Sequence, residues 1–226
     1  MHQKDLLDYI ERYEGRLRQF GAAPEALGWG KQGRQEVRFG VLAQPILENP
    51  SISVLDVGCG FADLYDYLAD RGWKGDYCGL DIVPGLLRIA RERHPNLDLR
   101  EVDITADGVR LNQADCVVGS GLFNARLKAG DNLEHIECAI RRMHSLARLA
   151  VSVDFMSTYV EFQHPDGWHT DPAWAFAIGK RLSGRLLLRH DYMPFEFALI
   201  IYLDDSISPR NVFQATEEAI DLGKLP

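Results

Sequence analysis

The sequence has few cysteines, and no two of them are close together. Cys59, Cys78, Cys116 and Cys138 form no Cys-x-x-Cys motif. Such motifs are the usual signature of a structural zinc site or a redox-active dithiol, so neither is expected, and no other ligand spacing indicates a metal. We expect reduced and mostly buried thiols, as in a cytoplasmic protein.

Long apolar segments and an excess of basic residues are also missing. The best apolar stretch, residues 195–203, contains Glu196 and is shorter than the roughly 18 residues needed to span a bilayer. The charged N-terminal residues are unlike a secretory signal. Acidic side chains outnumber basic ones by 33 to 25, which argues against a general DNA-binding protein. We expect a cytoplasmic protein with no membrane segment.

Basic side chains are nevertheless concentrated in two places. Helical spacing brings several of them near one another, and we interpret them as a solvated surface, with an RNA-binding patch as the alternative. The residues are Arg141, Arg142, His144 and Arg148, and then Lys180, Arg181, Arg185 and Arg189.

What is present is the pattern of an α/β protein. Two helices are predicted within the first fifty residues, at 6–20 and 32–48. Strands at 52–57, 76–81, 97–102, 116–118 and 150–155 then alternate with helices at 61–71, 84–94 and 131–146, and a helix at 172–182 follows. This alternation is typical of a parallel sheet with helices on both faces.

The last two predicted strands, 185–192 and 196–203, are joined by a turn too short for a crossover connection, so they are antiparallel. The predicted fold is therefore a doubly wound, mostly parallel seven-stranded sheet with an antiparallel C-terminal hairpin. We divide the chain into an N-terminal helical extension (1–50), a main domain (51–204) and a tail (205–226) that contains a short helix at 211–221. Trp29 is assigned to a lid formed by the extension or to its core.

The strongest motif lies where the first strand meets the next helix. Asp56, Gly58 and Gly60 lie at this turn, where glycine permits a sharp bend and the close approach of a ligand. Asp81 ends the second strand, where a carboxylate can accept hydrogen bonds from both hydroxyls of a ribose. Asp103 follows the third strand, within reach of an adenine amino group.

Three interpretations of this motif were compared. A turn without a ligand does not explain why glycines and acids fall on successive strand ends. A nicotinamide oxidoreductase requires Gly or Ala where this chain has Asp63. Asp56 also lies awkwardly for a pyrophosphate, and it suits a ligand with a positive amino group.

The segment from about residue 52 to 155 resembles class I S-adenosylmethionine-dependent methyltransferases. Asp56, Gly58 and Gly60 match the first motif of that family, which is acid-x-Gly-x-Gly. Asp81 matches its ribose-binding acid. The family sheet also ends in an antiparallel strand. Ala62 stands where many members have glycine, a small difference.

The resemblance implies that the cofactor is S-adenosyl-L-methionine and identifies residues that contact it. Ile82 is placed where it can pack on the adenine, and Asp103 and Ile104 match the acid-plus-apolar pair that follows the third strand in the family. Ser120 and Gly121 are placed at the carboxyl edge of the sheet, and Arg38 near the methionine carboxylate, with Gln35 as a second donor. The predicted cofactor residues are Asp56, Gly58, Cys59, Gly60, Asp81, Ile82, Asp103, Ile104, Ser120, Gly121 and Arg38.

The methyl acceptor is predicted from less evidence. Residues 119–124 lack the (Asn/Asp)-Pro-Pro-(Tyr/Phe) motif of relatives that methylate nucleobase or amide nitrogens. The aromatic- and histidine-rich loop after the fifth strand lies where long loops carry function. The substrate-pocket candidates are Asn124, Tyr159, Glu161, His164, Trp168 and His169.

The prediction is a methyltransferase acting on oxygen or nitrogen of a small molecule. RNA or protein as the acceptor, and a non-catalytic cofactor-binding module, stay open as alternatives. No catalytic base or oligomeric state is assigned. His190 and Asp191 are adjacent in a strand, where neighbouring side chains point to opposite faces, so a catalytic pair is not expected.

Overall fold

A computed structural model describes residues 1–28 and 34–203. Trp29 and the helix predicted at 211–221 lie outside the described residues. The strands form one seven-stranded sheet in the order β3-β2-β1-β4-β5-β7-β6. They are β1 (Val54–Val57), β2 (Tyr77–Asp81), β3 (Asp98–Glu101), β4 (Ala114–Gly119), β5 (Ala147–Met156), β6 (Arg185–Met193) and β7 (Glu196–Tyr202).

Pairing within the sheet confirms the predicted topology. β1 to β5 pair in parallel, whereas β7 pairs antiparallel with both β5 and β6. The short connection between Met193 and Glu196 leaves no room for a crossover. The hairpin therefore ends the sheet, with β6 at its edge and β7 inserted next to β5.

The helices surround the sheet on both faces, as predicted. They are α1 (Gln3–Phe20), a 3-10 helix (Pro24–Leu27), α2 (Arg34–Leu42), α3 (Gln44–Leu47), α4 (Asp63–Ala69), α5 (Pro84–Arg93), α6 (Asn132–Leu146) and α7 (Pro172–Leu182). Among the described residues, no helix combines the length and the apolar character needed to cross a membrane.

Two predicted helices are corrected. The helix expected at 32–48 is interrupted at Ala43 between α2 and α3, because Pro45 has no N–H to continue the hydrogen-bond ladder. The helix expected from residue 61 begins at Asp63, because Ala62 has φ 65°, which an α-helix cannot contain.

Two apolar layers hold the helices against the sheet. On one face, Ile136 and Ile140 of α6 pack with Val117 and Val151. On the other face, α2, α4 and α5 pack through residues that include Phe39, Leu42, Leu64, Leu68 and Leu87. Cys59 and Cys116 are buried, Cys78 is half-buried and Cys138 is exposed, and all four are free.

A third, smaller apolar cluster joins α1 and the 3-10 helix to the start of α5. It includes Leu17, Ala26, Phe61, Val83 and Leu86. The sheet order reverses between β1 and β4, which is where ligands bind in open α/β sheets. The site is expected at that point, beyond the carboxyl ends of the strands.

Candidate functional site

A cavity of about 680 Å³ lies at the carboxyl ends of the central strands. Its wall brings together residues from the strand ends, from α1 and α2, and from the loops after β4 and β5. Every predicted cofactor residue lies in this wall: Asp56, Gly58, Cys59, Gly60, Asp81, Ile82, Asp103, Ile104, Ser120, Gly121 and Arg38.

The turn after β1 is shaped by its glycines. Gly58 has φ 74° and Gly60 has φ 54°, a region that side-chain-bearing residues rarely adopt. The amides of Gly58 and Cys59 both donate to the Leu80 carbonyl, at 2.7 and 2.9 Å, which fixes the turn against β2. A Cβ atom on Gly60 would lie 3.0 Å from Leu27, so this wall of the cavity leaves no room for a side chain.

Asp81 is bound to the glycine turn through backbone amides. Its two carboxylate oxygens accept hydrogen bonds from the amides of Gly60 and Val83, each at 2.8 Å. Burial raises the pKa of Asp81, and these amides oppose the shift. Each carboxylate oxygen can accept a second hydrogen bond, so the acid can still bind hydroxyl groups in the cavity.

Asp56 is buried next to the turn. The Tyr77 hydroxyl donates to its Oδ2 at 2.6 Å. Burial raises the pKa of Asp56 to about 7, because the tyrosine hydrogen bond only partly offsets the loss of solvation and the Asp81 charge adds to the shift. The Asp56 carboxyl group therefore titrates near neutral pH.

Asp103, in the loop after β3, lines the same cavity. Its Oδ1 accepts hydrogen bonds from the amide and the hydroxyl of Thr105, at 2.8 and 2.7 Å. Burial raises the pKa of Asp103, but these donors and the ammonium group of Met1, 3.3 Å from Oδ2, outweigh burial and lower it. A negatively charged acceptor therefore lies next to Ile104.

Sequence reasoning missed a buried acid beneath the loop after β4. Asp154 in β5 is 1% exposed and accepts hydrogen bonds from the Ser120 hydroxyl at 2.7 Å and the Gly121 amide at 2.6 Å. Burial raises its pKa to about 6, although Arg38 and these donors oppose the shift. Asp154 therefore fixes the position of two residues of the cavity wall.

A buried ion pair joins α2 to β7 at the same wall. Arg38 Nε lies 2.5 Å from Glu196 Oε2, and its Nη2 contacts Oε1. Both side chains are less than a tenth exposed. Glu196 and Asp154 interrupt apolar runs in the sequence, a signal that could have singled them out.

Two of the substrate-pocket candidates, Asn124 and His164, lie in the cavity wall. The Asn124 side-chain oxygen accepts from the Met156 amide at 3.3 Å, which orients its amide group. His164 Nδ1 accepts from the Asp166 amide at 3.2 Å, so the neutral ring carries its proton on Nε2.

The structure places the other four candidates outside the described cavity wall. Tyr159 is 69% exposed and Glu161 also faces solvent. Trp168 packs beneath the Arg126 guanidinium, 5.1 Å from its ring centre. His169 Nδ1 donates to the Ser157 carbonyl at 2.8 Å. The loop folds onto itself, so its composition did not reveal which side chains face the cavity.

The expected separation of His190 and Asp191 is confirmed. Asp191 pairs with Arg189 at 2.7 Å, whereas His190 Nε2 lies 2.9 Å from the Ser157 hydroxyl. The two side chains belong to different faces of β6, and they form no dyad.

Helix α1 supplies a further part of the wall that the sequence did not indicate. Tyr9, Arg12, Tyr13 and Arg16 all line the cavity. Tyr13 belongs to the helical periodicity of apolar residues, a pattern that by itself is typical of a packed helix face.

Several basic residues of the two sequence clusters are paired with nearby acids. Arg141 and Arg181 both pair with Glu137, at 2.7 and 3.1 Å. Arg148 pairs with Asp115 at 2.8 Å. These pairs reduce the positive potential of the surface on which an RNA-binding patch was considered.

Comparisons with known proteins identify the family of the chain. Residues 54–149 match the family described as a methyltransferase domain. A protein of Mycobacterium tuberculosis (strain ATCC 25618 / H37Rv), Rv1506c, is named as a methyltransferase. It is 33% identical over 154 residues, which are 66% of this chain and 92% of that protein.

Solved structures share the fold at low sequence identity. Magnesium protoporphyrin IX methyltransferase from Synechocystis PCC 6803 with bound S-adenosylhomocysteine is 14% identical, with a TM-score of 0.63 over 88% of this chain and 99% of that chain. The N-methyltransferase NodS from Bradyrhizobium japonicum WM9, also with S-adenosylhomocysteine, is 12% identical, with a TM-score of 0.61 over 84% and 97% of the two chains.

The strand order and the glycine turn with its acids define a class of enzymes that transfer methyl groups. The chain belongs to the class I S-adenosylmethionine-dependent methyltransferases, with a Rossmann-like fold. Its cofactor is S-adenosyl-L-methionine.

Proposed function

We propose that the chain transfers a methyl group from S-adenosyl-L-methionine to oxygen or nitrogen of a small molecule. The observation that carries this proposal is a continuous cavity of about 680 Å³, whose wall includes the glycine turn, Ser120, Asn124 and His164. Its volume lies in the range of about 300–1,000 Å³ that is usual for small-molecule sites. Cofactor and acceptor would share it.

The residues at the strand ends fit the nucleoside part of the cofactor. Gly58 and Gly60 have no side chains that would cover the backbone of the turn. A Cβ atom on Gly60 would already crowd Leu27. In the proposal, Asp81 accepts the ribose hydroxyls and Asp103 accepts the adenine amino group. Ile82 and Ile104 border the same part of the wall and would pack on the adenine ring.

Asp56 and Arg38 are our candidates for the methionine part. Asp56 would orient the amino group directly or through the loop backbone, and a positive charge nearby would favour its ionised form. Arg38 would donate to the carboxylate. Because Arg38 is already paired with Glu196, the carboxylate would share the guanidinium with that residue.

When bound, the cofactor supplies an electrophilic methyl carbon, which a nucleophile attacks in line with the bond to sulfur. The residues of the chain contribute by holding the nucleophile and the methyl group in this linear arrangement. Asp154 fixes Ser120 and Gly121 next to the cofactor, and Asn124 and His164 are placed to bind the acceptor. The Asp166 amide occupies His164 Nδ1, so Nε2 is the ring nitrogen left for a hydrogen bond to the acceptor.

The surface charges favour a small acceptor over RNA. Arg141 and Arg181 share the Glu137 carboxylate and Arg148 is paired with Asp115, so these arginines offer less charge for phosphate contacts. The proposal includes residues 1–50 as an extension that covers the site, residues 51–204 as the main domain and a cytoplasmic location.

The proposal is tested by supplying the purified chain with S-adenosylmethionine labelled in the methyl group. Three acceptor mixtures are compared, namely a small-metabolite extract, total RNA and unfolded cellular protein, and Asp81→Asn is the matched control. We expect label in the small-metabolite fraction, with S-adenosylhomocysteine formed. Label in RNA or protein alone, or binding of the cofactor with no transfer to any mixture, would refute the small-molecule assignment.

A further inference from the structure

Two tyrosines of α1 form a pair in the cavity wall. Tyr9 and Tyr13 lie one helical turn apart, with their hydroxyl oxygens 3.4 Å apart and their ring centres 4.8 Å apart. Both rings are half-buried and both line the cavity. The bond between them uses the proton of Tyr9. Among the described residues the Tyr13 proton has no acceptor, so it is available to a ligand.

The tyrosine pair faces the same part of the cavity as Asp81. The pKa of both phenols is raised, chiefly by burial, and the negative charge of Asp81 contributes to each shift. Tyr9, Tyr13 and Asp81 all line the one cavity. The wall thus combines a carboxylate acceptor and a phenolic donor around one space.

Helix α1 is anchored at two points, which holds the pair in place. Asp5 is 3% exposed and accepts hydrogen bonds from the three successive amides of residues 128–130, the shortest at 2.7 Å. Further along α1, Glu14 accepts from the Gly85 amide at the start of α5, at 2.8 Å. These bonds connect the helix to both sides of the cavity.

A ribose presents two hydroxyl groups, each with a proton to donate and an oxygen that can accept. Asp81 can only accept when ionised, so it satisfies the protons and leaves the diol oxygens without donors. We propose that the Tyr9–Tyr13 pair is the second half of a ribose clamp, in which Tyr13 donates to a ribose oxygen and Tyr9 supports it. This inference rests on the proposed ribose-binding role of Asp81.

The first test measures the affinity for S-adenosylhomocysteine by calorimetry. Tyr9→Phe, Tyr13→Phe and the double variant keep the rings and remove only the hydroxyls. We expect Tyr13→Phe to weaken binding by about fivefold to tenfold, the usual effect of losing one hydrogen bond, and Tyr9→Phe to have a smaller effect. Tyr159→Phe, at an exposed ring outside the described wall, is the matched control and should bind as the unaltered chain does.

The second test removes the hydroxyls from the ligand and compares the loss in the unaltered chain with the loss in one variant. The 2′-deoxy and 3′-deoxy analogues of S-adenosylhomocysteine are titrated into the unaltered chain and into Tyr13→Phe. For at least one analogue, we expect the loss seen with the unaltered chain to shrink in the variant, because both changes remove the same hydrogen bond.

The outcomes separate this inference from the proposed function. If the unaltered chain binds S-adenosylhomocysteine but Tyr13→Phe binds it equally well, or if the two losses simply add, the clamp is refuted while the proposed function stands. If the unaltered chain does not bind S-adenosylhomocysteine, the proposed function is refuted together with the clamp.

Discussion

The two ends of the cavity are built in different ways. At the cofactor end, acids at the ends of parallel strands are buried and held by backbone amides, as Asp81 is by Gly60 and Val83. At the acceptor end, the wall comes from the loops after β4 and β5, which carry Asn124 and His164. One end is a fixed site for a constant ligand, and the other consists of segments that can vary without disturbing the sheet.

The largest effect is expected from breaking the buried ion pair between Arg38 and Glu196 at the cofactor end. Arg38→Met leaves Glu196 buried without its partner, and we expect the free energy of unfolding in urea to fall by about 3–5 kcal/mol. The double variant Arg38→Met, Glu196→Leu removes both charges and should recover most of the loss. A single variant within about 1 kcal/mol of the unaltered chain would show that the pair does not hold α2 against β7.

A second prediction concerns the pH dependence of the same end. Because the pKa of Asp56 is raised from 3.8 to about 7, the folded state holds this proton more tightly than the unfolded state. The resulting stability is fully present below about pH 4 and is lost as the pH rises through about 7. Asp154, with its pKa raised to about 6, acts in the same direction.

Urea unfolding of Asp56→Asn and the unaltered chain between about pH 4 and 8 measures this effect. The asparagine cannot ionise, so the stability of the variant relative to the unaltered chain should rise with pH by a few kcal/mol, since each pKa unit is worth about 1.4 kcal/mol. Parallel pH curves would mean that Asp56 is not desolvated as its burial indicates.

The third prediction concerns cofactor binding. Asp81→Asn places an amide NH₂ opposite one of the two amide donors and removes the charge facing the ribose. We expect affinity for S-adenosylhomocysteine to fall by about 1–3 kcal/mol, measured by calorimetry. Asp191→Asn, an exposed acid paired only with Arg189 at the sheet edge, is the control. Equal affinities of the two variants for S-adenosylhomocysteine would show that Asp81 does not bind it.

The smallest effect is expected at the acceptor loop. Tyr159 is 69% exposed and lies outside the described wall, so Tyr159→Ala should change the free energy of unfolding by no more than about 0.5 kcal/mol. Its affinity for S-adenosylhomocysteine should also be unchanged. If Tyr159→Ala lost as much affinity for S-adenosylhomocysteine as Asp81→Asn does, the cofactor end and the acceptor end would not differ as described.

The features that depend on residues close together in the sequence were predicted correctly. The alternation of strands and helices, the antiparallel hairpin and the turn at Gly58 and Gly60 all follow from local patterns, and the structure confirms them. The break at Ala43 was not predicted, although the missing N–H of Pro45, which interrupts the hydrogen-bond ladder, is visible in the sequence.

What depends on distant contacts was not predicted. The partner of Arg38 is 158 residues away, and Asp154 reaches Gly121 across 33 residues, so no spacing rule connects them. The loop after β5 shows the same limit, since its aromatic composition suggested a pocket but only its fold determines that His164 faces the cavity and Tyr159 faces solvent.

The most direct test of the account is an experimental structure of the chain with S-adenosylhomocysteine bound. The account predicts the ribose within hydrogen-bond distance of the Asp81 carboxylate and the adenine between Ile82 and Ile104. Density for the molecule away from the carboxyl ends of β1 and β2, with the glycine turn making no contact to it, would contradict it.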